Sequence, residues 1–594
     1  MAGQNWVIRA KKADIDRLSQ QFNIDPVVAQ VLVNRDVEES EFEMFLNPEL
    51  SRMHDPFLME DMNQAVRIIC HDIEEGHKLR IVSDYDADGV MSNYVLYKGL
   101  RKIGADVDYV IPHRIKDGYG INENIIVKAH EEGIHTIVTC DNGIAANTAL
   151  TKAKELGMTV LVTDHHDIPF ILEGDKKNYI LPPADAILNP KKESCNYPFK
   201  DLCGAGVAYK LIEALYIKRD IPKDELYKFL EFVAIATVCD LVTLKGENRI
   251  FVVHGLERLR RSENTGMRAL ISVLGLADKP IDAGNIGFKL GPCINASGRL
   301  ESAEDSLKLF LDSNIETAFQ KAKELVDLNE ERKALTAEGV ERAERILQEL
   351  PDMKVFVVYV PDCHESLAGI IASKLKEIYN HPVLVVADSE DENILKGSGR
   401  SIKGYHLQEA LQECKDLLVK FGGHAMAAGF SIRREDLDEF TRTINANCEL
   451  DEIAFIPKVR IDAVMSMEDV TEELIEQLDR LAPFGTGNSR PLFAQKDMNL
   501  RFANVVGKDR SVVKLILESQ QGFKCDGIYF DAQEFEDNIV AWFGREEYDK
   551  LLQRWLNNVV LNIAYYPAIN EFNGNKTMQM QIKRYAMAAV REVL

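Results

Sequence analysis

Between residues 78 and 164 the sequence repeats one pattern three times: an apolar, largely β-branched run that stops at an aspartate. Lys78-Leu-Arg-Ile-Val-Ser leads into Asp84-Tyr-Asp-Ala-Asp-Gly, Thr136-Ile-Val-Thr-Cys into Asp141-Asn-Gly, and Met158-Thr-Val-Leu-Val-Thr into Asp164-His-His. A fourth run, Val107-Asp-Tyr-Val-Ile-Pro, lies between the first two, and a helical pattern follows the first run to about Ile103. Apolar runs alternating with helices of about a dozen residues predict βαβ units and a mostly parallel sheet.

In open α/β sheets, ligands bind outside the carboxyl ends of the strands. Asp84, Asp86, Asp88, Asp141 and Asp164 all fall there, so residues distant in sequence converge on one crevice. Clustered carboxylates repel one another and are costly to desolvate when ionised; a cation relieves both costs. Aspartates with neighbouring imidazoles suit hard-to-borderline divalent ions such as Mn2+ or Mg2+. His165 and His166 leave the strand in different directions. One ring therefore ligates, and the other hydrogen-bonds a substrate phosphate or the first ligand. Asp240 interrupts the apolar stretch Phe232-Val-Ala-Ile-Ala-Thr-Val-Cys-Asp-Leu-Val, within a helix expected over 229–242, and a carboxylate in such surroundings needs a partner. Singly, these segments have ordinary readings: an Asp-rich turn or incomplete EF-hand loop, an Asn-Gly turn, a structural histidine pair. Their conjunction in a βαβ context points to a dinuclear metal site.

The chain has 594 residues, which at roughly 100–200 per domain predicts about three to five domains. Residues 1–75 read as a helical cap, 76–310 as the first α/β domain, and 311–350 as a long connecting helix closed by Pro351. A second α/β domain spans 351–450, from Lys354-Val-Phe-Val-Val-Tyr-Val to Gly422-Gly-His and Gly429-Phe-Ser-Ile. From 456 to 594, short strand-like runs with scattered aromatics (Phe493, Phe502, Phe523, Tyr529, Trp542, Phe543) suggest a small β barrel or sandwich. No apolar run approaches the ~20 residues of a membrane span, and the N-terminal residues show no signal-peptide core, so a soluble, cytoplasmic protein without membrane contact is expected. Ten cysteines without a C-x-x-C pair read as reduced, mostly buried thiols. The net charge of −24 argues against a simple basic nucleic-acid binder, although binding depends on a local groove.

Asp84-Tyr-Asp-Ala-Asp-Gly, Asp141-Asn-Gly, Asp164-His-His and Asp240, in that order, resemble the DHH phosphoesterase superfamily. Gly291-Pro-Cys-Ile-Asn-Ala-Ser-Gly-Arg-Leu, Lys396-Gly-Ser-Gly-Arg-Ser, Phe421-Gly-Gly-His-Ala-Met-Ala-Ala-Gly-Phe and Leu481-Ala-Pro-Phe-Gly-Thr-Gly-Asn narrow the resemblance to the bacterial RecJ exonuclease family, over roughly residues 50 to 500. The resemblance implies a DHH domain, a long helix, a DHH-associated domain and a C-terminal OB fold. It implies two divalent ions, Mn2+ or Mg2+, on Asp86, Asp88, Asp141, His165 and Asp240. Asp84, Asp164 and His166 would be second to the ligands or face the substrate. Phosphate binding would fall to Arg299, which follows a flexible Ser-Gly, and to Ser398, Arg400, Ser401 and His424. The implied activity is 5′→3′ hydrolysis of single-stranded DNA to 5′-mononucleotides, in repair and recombination, with a helicase and a single-strand-binding protein as possible partners. A single strand would thread a crevice between the two α/β domains, and a duplex would be excluded. Two segments depart from the family pattern: Cys363-His364-Glu-Ser where Trp-His-x-Gly is usual, and Gly291-Pro-Cys293 in place of Gly-Pro-Arg. A superfamily enzyme for short oligonucleotides or cyclic dinucleotides, and a non-catalytic scaffold, are the alternatives. The second would have lost metal residues that this chain keeps.

Overall fold

The computed structural model describes residues 5–118, 120–173, 176–351, 353–572 and 575–588. It divides into a unit of residues 49–456 and a unit made of 1–48 with 457–594.

The larger unit opens with the expected parallel sheet. Five strands lie in the order Asp106–Val110, Lys78–Ser83, Thr136–Cys140, Thr159–Thr163, Ala186–Leu188, all parallel, with Ile81 opposite both Tyr109 and Val138. The strand order reverses direction between Lys78–Ser83 and Thr136–Cys140, which creates the switch-point crevice where such sheets bind ligands. Alternate residues feed two cores. Leu79, Ile81, Val138 and Leu161 pack with the helices Ala87–Lys102, Gly204–Lys218 and Leu230–Cys239, while Val82, Ile137, Val160 and Val162 pack with Glu123–Glu131 and Asn147–Glu155. A parallel sheet buried on both faces explains the almost uninterrupted apolar runs.

The helix Ile315–Glu349 spans 35 residues, about 52 Å at ~1.5 Å per residue. Asn314 caps it by accepting from the amides of Glu316 and Thr317. Ala318, Ala322 and Leu325 lie in the core of the first domain, whereas Ala343 lies in the core of the second, so one rigid element is anchored in both. The second sheet is mixed: Phe356–Tyr359 and Val383–Asp388 are parallel, and Ile394–Arg400, Ala427–Arg433 and Leu418–Gly423 continue it antiparallel.

In the other unit, the strands Phe493–Val506, Val512–Glu518, Lys524–Tyr529, Asn575–Met587 and Val560–Phe572 pair in sequence around a ring, and the last pairs back to the first, closing a five-stranded barrel. This is the OB architecture. Of the aromatics read as strand residues, Trp542 and Phe543 instead lie on the helix Ala532–Phe543. The helical cap expected over 1–75 is divided. The strand Asn5–Ile8 pairs with Lys458–Ile461, and Leu18, Val28, Leu32 and Phe42 enter the barrel's core, whereas the helix Met62–Glu75 packs in the first α/β domain. Among the described residues no helix is long and apolar enough to cross a membrane. Seven of the ten cysteines are buried and none is paired.

Candidate metal centre and phosphate pocket

Three strand ends and one helix end deliver the acidic cluster. The strand Lys78–Ser83 ends at Asp84, which is buried. Asp86 caps the next helix by accepting from the amide of Gly89 at 3.0 Å, and Asp88 sits in that helix's first turn. Asp141 follows Thr136–Cys140 with φ of 58°, and Asp240 terminates the helix Leu230–Cys239. His165 reaches into their midst. Its Nε2 lies 3.1 Å from Asp141 Oδ1, 3.6 Å from Asp240 Oδ2 and 3.7 Å from Asp88 Oδ2. Donor atoms of Asp88, His165 and Asp240 lie within 4.8 Å of one another, as do those of Asp84, Asp86 and Asp141 and those of Asp141, His165 and His166.

Asp88 also receives the N-terminus of the helix Gly204–Lys218. Its Oδ2 accepts from Gly204 N at 2.6 Å and its Oδ1 from Ala205 N at 2.8 Å, so the helix's free amides and dipole hold the carboxylate in place. The approach requires glycine: a Cβ at Gly204 would stand 2.6 Å from the Cβ of Asp141.

Asp84 Oδ1, Asp141 Oδ1 and His165 Nε2 are buried without a hydrogen-bond partner. Buried polar atoms left unsatisfied are rare and costly, and here they converge on one another. Burial, and then the charges of neighbouring aspartates, push the carboxyls up: Asp88 to about 6, Asp240 to about 8, and Asp84 and Asp141 well above the ordinary range. Burial, and then the charge of His166, push His165 down to about 3, so its imidazole is neutral and able to ligate. Repelling carboxyls, a neutral imidazole and orphaned donor atoms form a set that divalent cations satisfy.

Asp164 does different work. Its Oδ1 accepts from His165 N, His166 N and His166 Nδ1 at 2.7, 3.1 and 2.7 Å, and its Oδ2 accepts from Ile144 N at 2.9 Å. Burial alone would raise its carboxyl; the His166 hydrogen bond and the surrounding charges outweigh burial and hold it at about 2. Burial would likewise lower His166, but Asp164, with help from Asp240 and Asp84, raises it to about 9. His166 is thus an imidazolium with its Nδ1 fixed by Asp164.

Tyr85, between Asp84 and Asp86, also lines a cavity of about 370 Å³ shared with the second domain. Lys396, Ser398 and Arg400 alternate along the strand Ile394–Arg400 and face this cavity together with Arg114, Arg299 and Lys420. Among the described residues of the lining, Glu365, paired with Lys396 at 2.8 Å, is the one acid. Arg114 lies 4.6 Å from the centre of the Tyr85 ring. Burial, and then the nearness of Arg114, lower Arg299 to about 10 and shift Arg400 in the same direction. Crowded, partly desolvated cations of this kind favour an anion.

Two of the expected phosphate residues stand elsewhere. Ser401 is buried and its hydroxyl donates to the carbonyl of Tyr405 at 2.7 Å, because the strand's two-residue alternation turns it away from Ser398 and Arg400. His424 is exposed and outside the cavity lining. The supposed flexible Ser-Gly before Arg299 is helical, within Gly291–Leu300. That helix presses Gly298 against the Tyr85 carbonyl, and Asn295 Oδ1 accepts from Ala87 N at 2.8 Å. The sequence reading passed over Arg114, Tyr85, Lys396, Lys420 and Asn295. Arg114 follows a strand end, and Lys396 shares the period of Ser398 and Arg400, so both carried a usable signal.

The DHH family N-terminal domain profile matches residues 78–237, the DHHA1 domain 352–450 and the RecJ OB domain 461–584. The single-stranded-DNA-specific exonuclease RecJ of Bacillus subtilis (strain 168) is 36% identical over 588 residues, covering 98% of this chain and 71% of that protein. The crystal structure of RecJ in complex with Mn2+ from Thermus thermophilus aligns over 98% of this chain and 80% of its own, with a TM-score of 0.79 at 24% identity. A crystal structure of exonuclease RecJ bound to manganese aligns over 65% of this chain and 94% of its own, with a TM-score of 0.56 at 31% identity. With three domain matches and identity along nearly its whole length, the chain belongs to the RecJ family.

Proposed function

We propose that the chain is a metal-dependent exonuclease that degrades single-stranded DNA from its 5′ end, releasing 5′-mononucleotides. Asp86, Asp88, Asp141, His165 and Asp240 hold two divalent ions, Mn2+ or Mg2+. The family's exonuclease relatives and their manganese complexes support this reading, as do the orphaned donor atoms of the cluster. When bound, such ions make water nucleophilic at neutral pH and neutralise charge on a transferring phosphoryl group.

The chain's own residues do the rest. Asp164 fixes His166 as an imidazolium, whose Nε2–H is a donor for a non-bridging oxygen of the scissile phosphate. Asp84 keeps a carboxylate oxygen next to the ligands, available to a second proton or ion. Arg299, Arg400 and Ser398, with Arg114 and Lys396, grip the terminal 5′ phosphate. The barrel unit contributes affinity for the single strand, as OB folds do. Residues 76–310, 311–350, 351–450 and 456–594 act as the DHH domain, connecting helix, DHH-associated domain and OB domain. Action in repair and recombination alongside a helicase or a single-strand-binding protein is part of the same proposal.

What supports the polarity most is the link between the acidic cluster and the cationic cavity: Tyr85, which lines the cavity, stands between Asp84 and Asp86 in the chain. A terminal phosphate held in the cavity leaves the next phosphodiester beside the aspartates. The test compares oligonucleotides with a 5′ phosphate and a 5′ hydroxyl. Arg400→Ala and Arg299→Ala should each lower kcat/KM on the phosphorylated strand about 10- to 100-fold, as expected for a charge-assisted contact worth ~1.5–3 kcal/mol, and should narrow the difference between the two substrates. An unchanged preference for the 5′ phosphate in both variants would refute the assignment.

A further inference from the structure

The two most exposed large apolar side chains among the described residues of 49–456 both adjoin the helix end that carries Asp240. Leu241 follows Asp240 directly, is 70% exposed, and has a φ of 60°, in the left-handed region that few leucines enter. Phe288 is 82% exposed, the most exposed aromatic among the described residues. It lies in a π-helical turn, Ile286–Leu290, that runs straight into the helix Gly291–Leu300. Ile286 and Leu290 are buried in the core of the first domain. A Cβ at Gly287 would stand 3.7 Å from Val238 Cγ1, and one at Gly291 would stand 2.3 Å from the Cys239 sulfur. The turn is thus pressed against the last residues of the helix Leu230–Cys239, which Asp240 terminates.

Single apolar side chains on a surface are ordinary; what sets this pair apart is its place. The helix Gly291–Leu300 begins against Cys239, beside Asp240, and near its end Gly298 meets the Tyr85 carbonyl, with Arg299 in the cationic cavity. It therefore spans the acidic cluster from one flank to the other. Phe288 and Arg299 are separated by about 16 Å of helix at ~1.5 Å per residue. A strand with its 5′ phosphate beside Arg299 and its scissile phosphate at the aspartates continues, on its 3′ side, toward Phe288. Lys289 is exposed and has no ion pair among the described residues, which leaves a cation next to the ring for the strand's backbone. Aromatic faces beside cations suit unpaired bases, each stacked base contributing ~1–3 kcal/mol whatever its identity. A duplex offers no such free face, because its bases already stack on one another. The π-helical turn agrees with this placement, since such insertions concentrate at functional sites.

We propose that Phe288, with Leu241, forms a stacking platform for the bases that follow the scissile phosphate on its 3′ side. The inference rests on the exonuclease reading above and adds to it a positioning role. A base stacked on Phe288 holds the strand in register, so that the phosphodiester bond next to the 5′ end stays at the aspartates. The two contacts then fix the strand from both sides of the cluster, the 5′ phosphate at Arg299 and a base at Phe288.

The test uses the full-length chain with Mn2+ and two 5′-phosphorylated single strands, a decamer and a dinucleotide that ends before Phe288. Phe288→Ala should lower kcat/KM on the decamer about 5- to 150-fold, the equivalent of one stacked base, chiefly through KM. The decamer's advantage over the dinucleotide should shrink by the same factor. Phe288→Trp keeps an aromatic face and should keep that advantage; Phe288→Leu is apolar without one and should lose it. In the parent, a single abasic residue moved along the decamer should reproduce the loss at one or two positions 3′ of the scissile bond. Those positions should be silent in Phe288→Ala. The proposal is overturned if Phe288→Ala keeps the decamer's full advantage, if it loses activity on both substrates equally, or if parent and variant respond alike to the abasic series. A parent that cuts neither substrate would instead overturn the exonuclease reading itself, and this inference with it.

Discussion

Gly298 is the position where a single methyl group should damage the metal centre without touching a ligand. The residue lies in the helix Gly291–Leu300, and a Cβ there would stand 2.4 Å from the Tyr85 carbonyl oxygen and 3.2 Å from the Ala303 Cβ. Carbon–oxygen contacts settle at ~3.3–3.6 Å, so in Gly298→Ala the Tyr85 carbonyl or the helix must move by about 0.9 Å. Overpacking of this kind costs ~1–3 kcal/mol. Alanine's better helix propensity returns up to about 1 kcal/mol, so the net loss of stability is about 0–2 kcal/mol and the protein stays folded. The displaced carbonyl, however, lies between Asp84 and Asp86, and a misplacement near 1 Å costs catalysis about 100-fold. Exonuclease kcat/KM should therefore fall roughly 30- to 100-fold, and Mn2+ affinity measured calorimetrically should fall with it, while circular dichroism remains that of the parent. Wild-type activity and Mn2+ affinity in Gly298→Ala would refute the claim that this close approach holds the aspartate loop in place.

Other residues give independent checks. Asp164→Asn removes the anion that keeps His166 protonated up to about 9; kcat should drop about 100-fold or more, and the alkaline limb of the pH–rate profile should move to lower pH, whereas a purely structural role would leave the limb in place. His165→Ala should abolish the Mn2+-dependent rise in thermal stability along with activity, both read in one melt series with and without chelator. Glu231 is buried, accepts from Ser262 Oγ at 2.9 Å, and is raised by burial from 4.5 to about 7. The unfolded chain ionises Glu231 first, so native stability falls as pH rises from about 4.5 to 7. The difference in unfolding free energy between Glu231→Gln and the parent should shift by about 3 kcal/mol in favour of the variant across that window. A flat difference would show that the side chain is not desolvated.

The acidic cluster was legible because its signal is local. Each parallel strand is an apolar run, each run ends where the sheet's ligand edge must be, and Asp84, Asp141 and Asp164 mark those ends. The connecting helix was legible for the same reason: 35 residues of helical periodicity need no knowledge of the rest of the chain. What sequence did not reveal depends on long-range contact. The strand Asn5–Ile8 finds its partner at Lys458–Ile461, so no pattern within the first 75 residues could separate it from the helix Met62–Glu75. Gly298 is glycine because of a carbonyl at residue 85. Ser401 shares a motif with Ser398 and Arg400, but the strand's alternation faces Lys396, Ser398 and Arg400 one way, and Ser401, just past the strand's end, is buried. The acidic net charge likewise concealed the cavity, where, among the described residues, five cations face a single acid in a chain of net charge −24.

The central claim joins a metal cluster to a pocket for a 5′ terminus, and one experiment tests both. The full-length chain is incubated with Mn2+ and a single-stranded oligonucleotide labelled at either its 5′ or its 3′ end, beside Asp141→Ala and His165→Ala. The expected result is immediate release of the 5′ label as a mononucleotide, stepwise shortening of the 3′-labelled strand, and no release by either variant. Release of the 3′ label first, or undiminished activity in both variants, would contradict the account.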